Sequence, residues 1–349
     1  MSINESSSFS SPKSASSSSL LRQSPLIDLD HSIFGISPYD DFIFSIARFI
    51  WTIAQPYYEA GEGELIEVEA KIGRLVKKNF DNGEERMWYP IGSETAILEN
   101  DGSYRFESDM SSKQHQRLNK ILNCRVQEIE SVRAKKEIDY KHLRECDEFY
   151  ENQVRVSREW LQQGQDGQSS QGSSHRNHSA GQIKRCIVKQ KLGHLDICSP
   201  NRSFDFRISV NLERPVAIPN ESQRVLYKRF KDRLSYSHQV CQIDLTQVRS
   251  SDNSITHELE VEIRDSVSLL RYGSQWRRGE EEMEKKKRKR KRNSGVDGTG
   301  EYEEEEDEED EDEDDEDEDD EEVGFSMYLM MIEVLANNVR LLISNAGER

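Results

Sequence analysis

The chain is short of apolar residues and of closely spaced cysteines. Only 34% of its 349 residues are hydrophobic, which is low for this length, so we expect part of the chain to remain unfolded. The five cysteines (Cys124, Cys146, Cys186, Cys198 and Cys241) include no close pair, which disfavours a disulfide framework and a thiolate zinc site. An intracellular, reducing compartment is expected.

A secretory signal and an uninterrupted apolar run are also lacking. The first residues are serine-rich and polar, whereas a signal peptide needs a basic start followed by an apolar stretch. The most apolar window, Phe325 to Ile343, contains Glu333, Asn338 and Arg340, which are too polar for an uninterrupted membrane span. We therefore predict no membrane association and interpret this window as an amphipathic helix.

The formal charge of −19 arises from one segment. In Glu301 to Glu322 every residue except Tyr302 is acidic, so 21 of the 67 acidic residues lie there. The remaining 46 acidic residues are balanced by 48 Lys and Arg residues, so the rest of the chain is nearly neutral. The low isoelectric point therefore says little about a binding surface.

Composition and periodicity divide the chain into segments. Residues 1–26 are serine-rich and predicted to be disordered, and a folded domain is expected over 31–273, interrupted by a flexible insertion at 162–180. Residues 274–324 join a basic cluster to the acidic run, and we expect them to form a second disordered insertion. Residues 325–345 carry an apolar stripe at helical spacing and should form a helix that packs on the domain.

The folded domain is predicted to be mainly β. Helices are expected from about Ser37 to Ala54 and from Ser111 to Asn123. Period-2 alternation indicates many short strands without helical spacers, which favours an antiparallel barrel or sandwich. The candidate strands are Leu65 to Leu75, Arg86 to Tyr89, Ser103 to Ser108, Gln127 to Ala134, Gln153 to Arg158, Gln182 to Leu192, Leu195 to Cys198, Phe204 to Leu212, Val225 to Ser237, Gln239 to Leu245 and Thr256 to Asp265.

Several strands carry charges of one sign at alternate positions. The acidic strands contain Glu67 and Glu69 with Lys71, and Glu258, Glu260 and Glu262; the basic ones contain Arg229, Lys231 and Arg233, and Lys189 with Lys191. Any one of these is most simply the solvated face of a sheet. Like charges at alternate positions repel, however, unless opposite charges lie between them, as they would around a common lumen. Carboxylates bind Mg²⁺ or Mn²⁺ and cations bind phosphates, so the pattern indicates a site for a metal-bound polyphosphate.

These strands resemble a known family. The segments Ile66 to Gly73, His257 to Glu262 and Arg229 to Arg233 are similar to three signature strands of fungal RNA triphosphatases, the β subunits of mRNA-capping enzyme, which are triphosphate tunnel metalloenzymes. The resemblance continues through Ser32 to Gly35, Phe106 to Asn123, Phe204 to Asn211 and Asn337 to Arg340. It implies a closed antiparallel β-barrel that forms a charged tunnel, with helices packed outside. The implied reaction is hydrolysis of the γ-phosphate of triphosphate-ended RNA, the first step of mRNA 5′ capping.

The resemblance also implies residue roles. A divalent metal, Mg²⁺ or Mn²⁺, would be held by Glu67, Glu69 and Glu262, with support from Glu258, Glu260, Lys71 and Asp244. Phosphates would be bound by Arg155, Lys189, Arg229, Lys231 and Arg233. Glu213 would orient the attacking water. Asp244 with Thr246 could equally form a simple turn.

The chain departs from the family pattern at two places. Gln242 stands where the family usually has an arginine, and a long insertion follows Glu159 where a tight hairpin is typical. The resemblance implies as partners the 5′-triphosphate end of nascent RNA, the capping guanylyltransferase or the C-terminal domain of RNA polymerase II, and a second copy of the chain. The eight cations of Lys285 to Arg292 predict nuclear localisation or, alternatively, a nonspecific RNA contact, and we favour localisation.

Two other functions stay open from the sequence. A tunnel-type hydrolase acting on inorganic triphosphate or nucleotides would have the same γ-phosphate site. A non-enzymatic nuclear acidic protein that binds histones would use the acidic run and the basic cluster, but would leave the charged strands unexplained. A cysteine-dependent phosphatase mechanism is excluded because the chain has no Cys-x5-Arg loop.

Overall fold

Ten antiparallel strands form the sheet in the part of the chain that the structure describes. The structure is a computed structural model, and it describes Ile33 and residues 40–78, 85–132, 137–160, 181–220, 222–293 and 315–347. The strands are β1 (Ile66–Lys77), β2 (Thr95–Ile97), β3 (Tyr104–Glu107), β4 (Asp139–Phe149), β5 (Val154–Glu159), β6 (Ile183–Cys198), β7 (Asp205–Pro215), β8 (Tyr227–His238), β9 (Cys241–Ser250) and β10 (Ile255–Ile263).

Eight of these strands close into a barrel. Their order is β1, β10, β9, β8, β4, β5, β6 and β7, and the barrel closes because β1 pairs with both β10 and β7. The short strands β2 and β3 pair outside the ring with β6 and β1. The predicted closed antiparallel barrel with helices outside is therefore confirmed.

Four helices accompany the barrel: α1 (Asp41–Glu59), α2 (Ser112–Val132), α3 (Ser266–Asn293) and α4 (Asp315–Asn345). Asp40 caps α1, since its side chain accepts a hydrogen bond of 2.9 Å from the backbone N–H of Phe42. The main core lies between these helices and the outward-facing side chains of the strands. On β1, for example, Val68 and Ala70 are fully buried in this core, while Glu67 and Glu69 point to the opposite face.

Helix α4 packs against α1 and α3. The Tyr328 hydroxyl donates a 2.9 Å hydrogen bond to the carbonyl oxygen of Ala47, and the ring of Tyr328 lies 5.2 Å from that of Trp276. By length and composition alone the stretch Ser326–Asn345 could cross a membrane, but half of its most apolar window is buried inside the protein. Its apolar stripe therefore contributes to the core of the fold.

Strand β6 is continuous where two strands were predicted. Its pairing with β7 is irregular between Lys191 and Gly193. A Cβ atom at Gly193 would lie 2.3 Å from the Cδ1 atom of Ile53, so the side chains of α1 pack directly on the strand at this glycine. The bulge is the physical reason that the alternation breaks here.

Three predictions about secondary structure are wrong. The predicted strand Gln127 to Ala134 is helical as far as α2 extends, to Val132. Between Arg86 and Tyr89 the structure has one isolated bridge, from Arg86 to Val76, and no strand. Strand β4 was missed altogether. Its outward face carries charged residues such as Arg144 and Glu148, which form ion pairs, so an apolar period was absent from the sequence.

The predicted boundary at residue 273 is also wrong. Helix α3 runs through it, and within the predicted insertion Trp276 is 1% exposed and packs on Tyr328. Glu280 is buried too and accepts a 2.9 Å hydrogen bond from Arg48. The folded part therefore extends along α3. Residues 294–314, the predicted insertion at 162–180 and the predicted disordered segment 1–26 lie outside the described residues.

Candidate active site in the barrel tunnel

The strand register brings the predicted site residues together on the inner face of the barrel. Residues opposite one another in antiparallel strands project to the same face. Glu69 of β1 lies opposite Glu262 of β10 and Ser209 of β7, and the inner face continues around the ring strand by strand. It carries Glu67, Glu69 and Lys71 on β1, Glu258, Glu260 and Glu262 on β10, Asp244 on β9, Arg229, Lys231 and Arg233 on β8, Arg155 on β5, Lys189 on β6 and Glu213 on β7.

A carboxylate cluster is centred on β1. The amide nitrogen of Asn211 donates hydrogen bonds to Glu67 (2.9 Å) and to Glu69 (3.0 Å) and fixes their orientation. The Lys189 ammonium group contacts Glu67 and lies 3.4 Å from Glu69. Glu262 completes the cluster from the neighbouring strand.

The electrostatics of this cluster favour a bound cation. Burial, together with the nearby carboxylates of Glu67 and Asp244, raises the pKa of Glu262 to about 8. Burial also raises the pKa of Glu69, although Lys71 and Lys189 oppose it. Carboxylate oxygens are the ligands that Mg²⁺ and Mn²⁺ prefer, so Glu67, Glu69 and Glu262 carry the donor type that such an ion requires. Among the described residues no group of three or more His, Cys, Asp or Glu side chains is arranged to hold a metal ion, because Lys71 and Lys189 lie against Glu69.

A second network joins β1, β8, β9 and β10. The Lys71 ammonium group lies 2.5 Å from Glu260, and the Arg233 guanidinium lies 2.7 Å from Asp244 and 4.0 Å from Glu260. Burial alone would lower the pKa values of Lys71 and Arg233, but these carboxylates raise both, so the two cations stay charged. Asp244 and Thr246 are buried within β9. The alternative that they form a simple turn is therefore wrong.

Gln242 occupies the position where the resemblance expects an arginine. It lies opposite Glu262 in the β9–β10 register. Its amide nitrogen donates to both carboxylate oxygens of Asp244, at 3.2 and 3.3 Å, and its oxygen accepts a 3.2 Å hydrogen bond from Ser237. The position thus carries a neutral donor that orients Asp244.

Cations line the opposite part of the tunnel. The Lys231 ammonium group lies 2.5 Å from Asp147, and its pKa is lowered by burial and by the neighbouring Arg233 and Arg155. The Arg229 guanidinium lies 2.7 Å from Glu258. The buried Nε of Arg155 has no hydrogen-bond partner among the described residues, so it is a donor available to a bound anion.

Glu213 lies at the junction of the carboxylates and the cations. Its carboxylate oxygens lie 3.0 Å from Arg155 and 2.9 Å from Arg185, and one of them is 3.7 Å from Lys189. Because Lys189 also contacts Glu67, Glu213 lies beside the carboxylate cluster. The structure therefore places this predicted residue next to the predicted metal and phosphate ligands.

Sequence reasoning missed two inner-face residues, Asp147 and Asn211. Asp147 is 1% exposed, pairs with Lys231 and accepts a 2.6 Å hydrogen bond from the Ser157 hydroxyl. It was missed because β4 was missed. Asn211 was noted only as part of a family segment, and no charge marked it as a partner of the two glutamates. The basic strand could have indicated Asp147, because a buried cluster of cations requires a carboxylate nearby.

A cavity opens where the loop between β4 and β5 meets the barrel. Its volume is about 620 Å³. Its lining combines four tunnel cations with rim residues: Lys71, Arg155, Lys189, Arg229, Phe149, Tyr150, Glu151, Asn152, Gln153, Leu226 and Tyr227. A polyanion that enters here meets the phosphate-binding candidates directly.

Comparison with known proteins agrees with this geometry. The family model of the beta chain of mRNA capping enzyme matches residues 36–292. The mRNA-capping enzyme subunit beta of Schizosaccharomyces pombe is 32% identical over 62% of this chain and 68% of its own length. That of Cryptococcus neoformans is 29% identical over 70% of this chain and 59% of its own length.

Solved structures share the fold. The structure of the S. pombe Pct1 RNA triphosphatase superposes with a TM-score of 0.64 at 23% identity, covering 92% of this chain and 99% of that one. The same protein in complex with the Spt5 CTD gives a TM-score of 0.63 at 24% identity, covering 91% of this chain and 99% of that one. At these identities the likeness concerns the fold.

Proposed function

The chain belongs to the family of the beta chain of mRNA capping enzyme, and from this premise we propose how its tunnel residues divide the work of the reaction. Its activity is that of an RNA 5′-triphosphatase: it hydrolyses the γ-phosphate of triphosphate-ended pre-mRNA and leaves a diphosphate end, the first step of 5′ capping. The observation that carries the proposal is the inner face of the barrel. Carboxylates on β1 and β10 there face cations from β5, β6 and β8 across one lumen.

We assign the metal site to Glu67, Glu69 and Glu262. The raised pKa of Glu262 supports this assignment, because burial and the neighbouring carboxylates of Glu67 and Asp244 both disfavour its charged form unless a cation is bound. A bound Mg²⁺ or Mn²⁺ would neutralise negative charge on the terminal phosphate oxygens. Asn211 holds the two β1 carboxylates apart and oriented. Glu260 and Asp244 keep Lys71 and Arg233 in place beside the site, and Glu258 does the same for Arg229.

The cations bind the triphosphate. Lys189 and Arg155 lie nearest to the metal-ligand candidates and Glu213, so they contact the γ-phosphate in this assignment. Lys231, Arg229 and Arg233 bind the remaining phosphates and stabilise the diphosphate that leaves. The free Nε donor of Arg155 supports a phosphate contact at this residue. Each of these groups is held by a carboxylate before substrate arrives, so little reorganisation is needed.

We assign to Glu213 the role of orienting the attacking water molecule. Its carboxylate can accept a proton from a water molecule and aim it in line with the bond to the leaving oxygen. Contacts with Arg155 and Lys189 fix the orientation of the carboxylate. The reaction then needs no covalent phosphoenzyme.

The test is release of inorganic phosphate from RNA. Triphosphate-ended and diphosphate-ended RNA of the same sequence are compared with Mg²⁺, with Mn²⁺ and with a chelator. We expect metal-dependent release from the triphosphate-ended RNA alone. Equal release from both ends, or no release from either, would contradict the proposal. Inorganic triphosphate in the same assay measures the alternative substrate class.

We also propose partners for the protein and a nuclear location. Nascent RNA and a CTD-type segment are proposed as partners, supported by the capping-enzyme family and by the S. pombe Pct1 structure in complex with the Spt5 CTD. We extend this to the capping guanylyltransferase, to the C-terminal domain of RNA polymerase II and to a homodimer. Because Lys285 to Arg292 belong to α3 and to none of the strands that form the tunnel, replacing this cluster with glutamines should move a tagged protein to the cytoplasm without loss of phosphate release. Unchanged nuclear residence would refute the localisation role.

A further inference from the structure

Two aromatic rings stack in the lining of the tunnel cavity. Phe149 ends β4 and Tyr227 begins β8, and the two residues are direct cross-strand partners. Their ring centroids are 4.3 Å apart and their planes differ by 10°. Tyr227 is 48% exposed, so the stack presents a face to solvent. None of the catalytic roles above uses either ring.

The stack adjoins the phosphate-binding candidates. Phe149 has a second cross-strand partner, Arg155 of β5, so Tyr227, Phe149 and Arg155 form one row across three strands. Arg229 lies two residues after Tyr227 on the same strand face, about 7 Å along β8. All four residues line the same cavity. If the two arginines bind the phosphates of a ligand, the part of the ligand attached to those phosphates therefore lies beside the two rings.

The rim that carries Phe149 is braced. The loop after β4 turns at Asn152 and Gln153, which have φ values of 57° and 62° in the left-handed region that favours glycine. The Tyr150 N–H donates a 2.9 Å hydrogen bond to the carbonyl oxygen of Val154, and the Leu226 N–H donates one of 2.7 Å to that of Phe149. These two hydrogen bonds hold the backbone on both sides of the Phe149 ring at the opening.

The chemistry of the cavity fits a nucleotide better than a bare polyphosphate. Cations account for the phosphates, but inorganic triphosphate has no group that a stacked aromatic face would bind. A nucleobase has one, and stacking of bases on aromatic side chains tolerates any sequence because every base has a π face. We propose that the Phe149–Tyr227 pair is the stacking platform for the base of the first nucleotide of triphosphate-ended RNA. This inference rests on the proposed function and assigns the tunnel a preference for RNA ends over inorganic triphosphate.

A purely structural role makes a different prediction. Cross-strand aromatic pairs also stabilise the pairing of their strands, so Phe149 and Tyr227 would then matter only for folding of β4 against β8. The same two strands offer a matched control on the outer face. Tyr140 is 43% exposed and lies 5.2 Å from Tyr236, its cross-strand partner.

The first experiment measures KM for triphosphate-ended RNA and the inhibition constant of inorganic triphosphate in the full-length protein. The variants are Phe149→Leu, Tyr227→Leu and the control Tyr140→Leu. Loss of base stacking should raise KM for RNA relative to that inhibition constant by about 5- to 100-fold in the first two. The control should leave the ratio unchanged. An unchanged ratio in all three variants, or a parallel loss for both ligands, would overturn the proposal.

A second arm needs no variant and so does not depend on how the substitutions fold. Wild-type protein is given RNA whose first nucleotide lacks its base but keeps the triphosphate. We expect its KM to exceed that of intact RNA by a similar factor. Equal KM values for the two substrates would overturn the stacking role.

Binding separates failure of the inference from failure of the proposed function. A triphosphate-ended RNA with 2-aminopurine at the first position should lose fluorescence when its base stacks on the rings. Quenching that disappears in Tyr227→Leu and persists in Tyr140→Leu supports the platform even if no phosphate is released. Phosphate release without any quenching would leave the triphosphatase function standing and refute the platform.

Discussion

The buried pair of Asp147 and Lys231 gives the sharpest prediction about stability. The Asp147 side chain is 1% exposed and that of Lys231 is 10% exposed, and their charged atoms are 2.5 Å apart. In Asp147→Asn the ammonium group would remain beside Arg155 and Arg233 without its counter-charge. Removing one partner of a buried ion pair costs about 3–5 kcal/mol. We therefore expect the free energy of unfolding to fall by roughly this amount.

Urea unfolding measures the change. With a denaturant slope near the upper end of about 1–3 kcal/mol per molar, a loss of 3–5 kcal/mol moves the midpoint down by about 1–2 M. Asp232→Asn is the matched control, because Asp232 lies on the outer face of β8 and its side chain is 39% exposed. Its partly exposed pairs with Arg144 and His142 should contribute no more than about 1 kcal/mol.

A double variant separates stability from activity. Asp147→Leu with Lys231→Met removes both buried charges, which is often neutral or stabilising. We expect it to recover most of the stability lost in Asp147→Asn but not phosphate release, because the phosphate-binding cation is gone. If the free energy of unfolding of Asp147→Asn lay within about 1 kcal/mol of the wild-type value, the reasoning about the buried pair would be refuted.

Three further predictions concern other parts of the molecule. Trp276→Ala should lower the free energy of unfolding by about 3–5 kcal/mol in urea, since it empties the contact between α3 and α4, and a loss below about 1 kcal/mol would contradict the packing. Burial and His257 lower the pKa of His115 to about 4. The unfolded chain therefore takes up a proton on this histidine before the folded protein does, and the free energy of unfolding should fall as the pH drops from 6.5 toward 4. His115→Gln should flatten that slope in thermal unfolding, and an unchanged slope would exclude this cause. Glu262→Gln should weaken Mn²⁺ binding by more than about 10-fold in an electron paramagnetic resonance titration, and unchanged affinity would remove it from the ligand set.

The charged strands could be predicted because their two faces differ. On β1 the carboxylates of Glu67 and Glu69 alternate with Val68 and Ala70, which the helices cover, so the period-2 pattern is clear in the sequence. The same holds for β10. That charges of opposite sign meet in one lumen followed from these strands together with the family resemblance, and the closed barrel confirms it.

Other features depend on contacts that a local pattern does not contain. The outer face of β4 bears Arg144 and Glu148 in ion pairs, so no apolar period marked the strand or its inward Asp147. Trp276 is buried by Tyr328, which is distant in sequence, so the charged continuation of α3 was read as disorder. The amide of Asn211 gains its role from two glutamates on a neighbouring strand. In each case tertiary contacts decide the environment of the residue.

The central claim is that the β1 carboxylates support hydrolysis of the terminal phosphate. Its most direct test is release of radiolabelled phosphate from γ-labelled triphosphate RNA with Mn²⁺, in wild type, Glu67→Gln and the control Glu107→Gln, which lies on β3 outside the barrel ring. Loss of a metal ligand should slow release by on the order of 100-fold or more. We predict rapid release in wild type and Glu107→Gln and almost none in a folded Glu67→Gln protein. Near-normal release in Glu67→Gln would contradict the account.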